Sequence, residues 1–188
     1  RMKYFNSDGN EAEMCGNAIR CVGKYLYEHR RILKPELCVE TKAGIKRLEL
    51  IINESQVDMV KVDMGQPELQ SDLIPVSGAT RRVINEPLVI GDHEYRFTAV
   101  SMGNPHCVIL VTEIRDEHVL KDGPAIEVHP CFPKKTNVEF IKVINRNLIQ
   151  MRVWERGSGE TLACGTGSCA AVVATILNNL TDRNVTVK

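Results

Sequence analysis

Two cysteines stand directly before a glycine where a helix is about to begin: Cys15-Gly16 in EAEMCGNAIRC (11–21) and Cys164-Gly165 in ETLACGTGSC (160–169). The first turn of a helix presents unpaired N–H groups and partial positive charge. A thiol placed there is expected to have its thiolate stabilised, its pKa falling from about 8.5 toward neutrality. The same N–H groups bind carboxylates. Two such starts would bring two titratable thiols and two sets of donors to one small anion. That equipment suits proton exchange at a carbon α to a carboxylate: one thiolate removes a proton from one face and the opposite thiol returns one to the other. The donors would hold the charge that the carbanion spreads onto the carboxylate. Such a reaction requires no metal and no pyridoxal.

The elements that must carry these groups can be read from the patterning. After an extended RMKYFN and a turn at SDGN, Ile19, Val22, Leu26 and Tyr27 recur at helical spacing from Ala18, and Pro35 follows the helix end. Short strands are expected near 37–41, 47–52 and 57–64. Residues 65–80, rich in Pro, Ser and Gly, are the best boundary. Further strands are expected near 88–90, 94–101, 106–112, 137–144 and 148–155, with GDH and NRN as turns. A helix over 165–180 carries Ala170, Val173, Ala174 and Leu177 on one stripe, and NVTVK starts another strand. Each half is thus several strands plus one apolar helix opening at Cys-Gly. Superposing Cys15 on Cys164 also matches Gly16 with Gly165, Asn17 with Thr166, Glu11 with Glu160 and Phe5 with Trp154.

Composition narrows the classes. The 188 residues carry 24 basic and 24 acidic side chains, so charge argues for neither a nucleic-acid nor a membrane partner. There is no apolar run near the length of a membrane span. Seven cysteines, an odd number without dense spacing, read as reduced thiols in a cytosol-like compartment. Cys38, Cys107 and Cys131 are expected to be small buried hydrophobes. Cys21 and Cys169 lie inside their helices and read as structural. Zinc is disfavoured, because the offsets Cys15/Cys21 and Cys164/Cys169 point to different helix faces with no His pair nearby. GTGSCA matches Gly-x-Gly-x-x-Ala, but it does not directly follow a strand as a dinucleotide fingerprint should. The Cys-x-x-Cys of a redox dithiol is absent. A non-catalytic or nucleotide-binding protein that uses the glycine-rich helix start for phosphate is the alternative from another class.

Three stretches in order, NSDGNEAEMCGNAIRC, MGNPHC and WERGSGETLACGTGSCAA, resemble the diaminopimelate epimerase family, and the resemblance runs through essentially the whole chain. It implies an α/β (α+β) fold of two similar domains, each a curved, mostly antiparallel sheet wrapped around a central helix, with the active site in the interdomain cleft. Residues 1–66 would be the remainder of the first domain and 67–188 the second. It implies cofactor-independent interconversion of L,L- and meso-diaminopimelate, on the route to lysine and bacterial peptidoglycan, in the cytoplasm. The implied partner is this small molecule, with no metal, nucleic acid or membrane, and a homodimer is allowed. Cys15 and Cys164 match the acid/base thiols, with Cys15 acting on the L,L isomer. Gly16, Asn17, Gly165 and Thr166 match positions whose N–H groups hold the reacting carboxylate. Asn6, Asn104, Asn137 and Arg156 match substrate-binding positions. His106 and Glu155 match the pair that tunes the thiols, with Glu155 also near a substrate ammonium. Proline racemase and hydroxyproline epimerase are the nearest rivals, but their first motif tends to read Cys-Gly-His where this chain has Cys15-Gly16-Asn17. Family members carry more chain before the first motif and after the last helix, and this chain opens on Arg rather than Met, so it reads as a fragment.

Overall fold

The computed structural model describes residues 1–5, 9, 11 and 14–188. The expectation for Asn6 lies outside the described residues. The chain divides into two compact units, Arg1–Gly65 and Gln66–Lys188.

The first unit is a helix on a three-stranded antiparallel sheet. Helix α1 (Gly16–Glu28) is followed by β1 (Glu36–Thr41), β2 (Gly44–Asn53) and β3 (Gln56–Val62), ordered β1-β2-β3. Alternation sets the buried face, because successive side chains of a strand point to opposite sides. Leu37, Val39 and Thr41 point inward from β1, and Lys46, Leu48 and Leu50 from β2. Glu54 and Ser55 turn the β2–β3 hairpin with φ of +47° and +69°, the left-handed pair that matches strand twist in a two-residue loop. Helix α1 lies on β2 and β3, and Ile19 joins Leu37, Val39, Leu48, Leu50 and Val57 in the core. Gly23 allows the close approach: a Cβ there would stand 2.9 Å from Leu48 Cδ2.

The second unit is built on a mixed sheet in the order β10-β8-β7-β6-β5-β4, with β9 added on β8. Its strands are β4 (Glu86–Ile90), β5 (His93–Ser101), β6 (Pro105–Leu110), β7 (Asn137–Asn145), β8 (Leu148–Glu155), β9 (Gly159–Thr161) and β10 (Thr186–Val187). Most pairings are antiparallel; β6 with β7 and β8 with β10 are parallel. A parallel pair needs a crossover. Between β6 and β7 it contains a π-helical turn, Glu117–Asp122, running into the short helix α2 (Gly123–Glu127). Neither helical piece, nor β9, was expected from the sequence. Helix α3 (Gly165–Leu177) packs on β5, β6, β7 and β8 through Ala170, Ala171 and Ala174. Apolar over most of its surface, it suits a helix covered on several sides. Among the described residues, no helix is long and apolar enough to cross a membrane.

The two cysteine-led helices repeat one design in detail. Both are 13 residues long, and their N-caps have nearly the same backbone, φ −133°, ψ 110° at Cys15 and φ −125°, ψ 114° at Cys164. The match continues to the far ends. His29 and Asn178 cap the helices, and the next residues, Arg30 and Asn179, turn left-handed at φ +54° and +59°. The strand that leads in repeats too: Phe5 bridges Glu11 as Trp154 pairs with Glu160. The alignment drawn through the two cysteines therefore holds as geometry.

Candidate active site

Each thiol closes its own helix. The Ala18 N–H donates to Cys15 Sγ at 3.5 Å, and the Gly167 N–H donates to Cys164 Sγ at 3.3 Å. Oxygen side chains dominate natural N-caps, so a sulfur at both starts points to a purpose beyond capping. The first turns, Gly16-Asn17-Ala18 and Gly165-Thr166-Gly167, contain no acidic residue. Nothing in them cancels the positive end of the dipole.

The surroundings of the two sulfurs differ. Cys15 is half-buried, and beside it Arg20 donates to the Gly16 carbonyl and to Asn17 Oδ1. Cys164 is 5% exposed. Its thiol is pushed up to about 12, first by burial and then by the charges of Glu139 and Glu155, against the opposing hydrogen bonds of Thr166 and Gly167. This corrects the expectation of a lowered pKa at Cys164. The helix-start donors are present, but burial penalises the thiolate more than they favour it.

Behind Cys164 lies a buried polar chain. Thr166 Oγ1 is 3.4 Å from Cys164 Sγ, and Asn104 Nδ2 donates to Thr166 Oγ1 at 3.3 Å. His106 Nε2 lies 3.0 Å from Asn104 Oδ1, while its Nδ1 lies 2.6 Å from Glu139 Oε1. His106 and Glu139 are both fully buried. Strands β6 and β7 align them, because the parallel register sets His106 opposite Asn137, two residues before Glu139. Gly167 makes the room: a Cβ there would stand 2.7 Å from Glu139 Oε1 and 3.2 Å from Cys164 Sγ.

Asn137 is buried and committed to backbone. Its Nδ2 donates to the Pro105 carbonyl at 2.7 Å, and its Oδ1 accepts the Arg156 N–H at 2.9 Å. Arg156 begins the β8–β9 turn, where Gly157 and Gly159 take φ of +74° and +80°, and its Nη1 donates to the Lys134 carbonyl at 3.4 Å. Glu155, half-buried at the end of β8, accepts the Thr161 hydroxyl. The turn is pinned from below by Glu127, whose Oε2 accepts the indole N–H of Trp154 at 2.8 Å and whose Oε1 accepts the Gly157 N–H at 3.1 Å.

Glu139 and Glu127 escape sequence reasoning. One reads as an outward residue of a strand, and the other lies on a helix that Gly123-Pro124 hides from periodicity. Three cysteines also depart from expectation. Cys38 is exposed, not buried, and Cys21 lies on the solvent side of α1 rather than in a core. Cys131 is only half-buried, whereas Cys107 is buried, with its thiol raised by desolvation. Cys169 is half-buried in α3. All seven cysteines are free. Among the described residues, no group of three or more His, Cys, Asp or Glu side chains could hold a metal ion.

A repeated sheet-and-helix unit with a thiol at each helix start places the molecule in a fold class that known structures share. A hydroxyproline epimerase from Agrobacterium vitis superposes with a TM-score of 0.67 at 18% identity, over 93% of this chain and 54% of that one. A phenazine biosynthesis protein of the PhzF family from Bacillus anthracis gives 0.60 at 19%, over 92% and 60%. The sequence is more particular: the diaminopimelate epimerase family model matches residues 1–70 and 98–188, and this chain belongs to that family. The diaminopimelate epimerase of Pelotomaculum thermopropionicum is 57% identical over 186 residues, covering 99% of this chain and 66% of the relative. That of Methanococcus maripaludis is 51% identical over 188 residues, covering 100% and 68%. The chain thus spans about two thirds of the length of the curated relatives it matches.

Proposed function

We propose that the protein is an epimerase that interconverts L,L- and meso-diaminopimelate, with Cys15 and Cys164 as its two proton-transfer groups. The observation that carries this reading is the pair of matched thiol-capped helix starts, within a chain of the diaminopimelate epimerase family. In the L,L to meso direction, the Cys15 thiolate takes the α-proton and becomes a thiol. The electron pair left on carbon delocalises onto the α-carboxylate. The N–H groups of Gly16, Asn17, Gly165 and Thr166 stabilise that charge. Cys164 then gives its own proton to the opposite face of the carbon and becomes a thiolate. A thiol raised to about 12 is held protonated at neutral pH, the form an acid must take.

The distal groups of the substrate need their own partners. The Arg156 guanidinium is a planar fork suited to a second carboxylate, and Glu155 is an anion suited to an ammonium. Asn104 and Asn137 contribute by what they hold: Asn104 links Thr166 to His106, and Asn137 fixes the Arg156 backbone. Asn6 completes the polar set. Seven free thiols fit a reducing cytoplasm, where the product would feed lysine synthesis.

The test is α-proton exchange in heavy water with the whole protein. Diaminopimelate should take up deuterium while proline and hydroxyproline do not, and Cys15→Ala and Cys164→Ala should each abolish epimerisation with the fold intact. Wild-type epimerisation by either variant would end the two-thiol reading.

A further inference from the structure

The reverse direction asks something harder of Cys164. To take a proton from the meso isomer it must become a thiolate inside a buried pocket that also holds two carboxylates. The chain behind it bears on this need. Both ring nitrogens of His106 face oxygen atoms, Glu139 Oε1 at 2.6 Å and Asn104 Oδ1 at 3.0 Å. An amide oxygen can only accept, so Nε2 must carry a proton. An ionised Glu139 accepts at Nδ1 as well, and the ring is then doubly protonated with its charge balanced by Glu139. With Oδ1 turned to the imidazolium, Asn104 directs its Nδ2 donor to Thr166 Oγ1. Thr166 keeps its own hydroxyl proton, and a thiolate, which can only accept, draws that proton to Cys164 Sγ, 3.4 Å away. From His106 Nε2 outward, each donor of the chain then points toward the thiolate.

We infer that Glu139 is a positioning residue: by holding His106 as an imidazolium, it orients Asn104 and Thr166 so that a hydroxyl proton is presented to the Cys164 thiolate. The inference rests on the proton-transfer role proposed above for Cys164. It also gives a fully buried carboxylate a reason to be there. Glu139 Oε2 has no hydrogen-bond partner, and a buried anion is costly unless it is paired. Three titratable groups face Cys164: Glu139 on β7, Glu155 on β8 and, through the chain, His106 on β6. The charge of Glu139 by itself disfavours the thiolate; the imidazolium it holds opposes that through the chain, polarising it toward the sulfur.

The relay predicts a specific pattern of thiol reactivity. Well below its midpoint, the alkylation rate of a thiol follows its thiolate fraction. Iodoacetamide labelling of the whole protein at pH 8, read at the Cys164 peptide by mass spectrometry, therefore reports the relay without any turnover. Glu139→Gln removes the counter-charge of the imidazolium, and Thr166→Val removes the hydroxyl. Each should slow labelling of Cys164 by about tenfold, the worth of one charge-assisted hydrogen bond, while the Cys15 peptide labels at the wild-type rate. Because Glu139 acts through Thr166, the double variant should be no slower than Thr166→Val alone. If Glu139→Gln labels as fast as wild type or faster, or if it has its own effect in the Thr166→Val background, Glu139 acts by direct charge and the relay is refuted. If instead Cys164→Ala turns over normally, the two-thiol reading falls while the labelling pattern still decides the relay.

Discussion

Replacing Cys164 by Ser tests whether this thiol is buried in its protonated form. In the folded protein its pKa stands at about 12, against ~8.5 for a thiol in the unfolded chain. A folded-state pKa above the unfolded one stabilises the fold at pH below the unfolded value, and that stability is lost as pH rises toward the folded value. The window is therefore alkaline. From about pH 8.5 upward the unfolded chain releases this proton while the folded chain keeps it, and each pH unit removes ~1.4 kcal/mol of stability. At pH 10.5 the loss from this one group is ~2–3 kcal/mol. No discount for solvent is needed, because Cys164 is 5% exposed. Other thiols and Tyr95 also titrate at high pH, so the measurement must be a difference. Urea unfolding of wild type and Cys164→Ser, under reductant at several values from pH 7.5 to 10.5, provides it. The serine hydroxyl does not titrate in this range, so any packing or capping change adds a constant offset. Wild-type stability should fall toward the variant's as pH rises, closing by ~2–3 kcal/mol relative to pH 7.5. A difference constant to within ~0.5 kcal/mol across that range would refute the burial argument, since a thiol with an ordinary pKa folds and unfolds without exchanging a proton.

Two further substitutions address the supports of the site. Asn137→Ala strands the Pro105 carbonyl and the Arg156 N–H, two backbone groups that one side chain now satisfies. At ~1–2 kcal/mol for each orphaned group, denaturant unfolding should show a loss of ~2–4 kcal/mol, and a loss under ~0.5 kcal/mol would mean both groups find other partners. Glu127→Gln keeps one acceptor oxygen for two donors, Trp154 Nε1 and the Gly157 N–H. Stability should fall by ~1–3 kcal/mol, the emission of the chain's single Trp should move to the red, and the KM for diaminopimelate should rise as the Arg156 turn loosens; unchanged emission and KM would show that Glu127 does not hold that turn.

How far the sequence speaks depends on which force decides each position. Strands β1 and β2 were legible because one face is buried and alternation marks it. The same alternation could have corrected Cys38: with Leu37 and Val39 inward, the residue between them must face solvent. At Cys38 the usual burial of free cysteine yields to that register. The π-helical turn and α2 were not legible, because DGPAIE breaks the apolar period with Gly and Pro. Glu139 was hidden for a different reason. In TNVEFIKV a lone acid looks like the outward residue of a half-buried strand. Yet the first five residues of β7 are all buried, since sheet, crossover and α3 leave no exposed face there. A carboxylate survives in that place because His106 pairs with it.

Each thiol caps its helix as a helix start predicts, but at Cys164 burial outweighs the dipole. The backbones of the two starts are equivalent. The difference enters two and three residues after each cysteine. The first start has Asn17, held by Arg20, and Ala18. The second has Thr166, tied to Asn104, and Gly167, whose missing Cβ admits Glu139. One fold unit used twice thus yields a half-exposed thiol with a cation nearby and a buried thiol among carboxylates. A reaction that removes a proton on one face and adds one on the other needs that inequality, because two identical thiols would compete for the same protonation state.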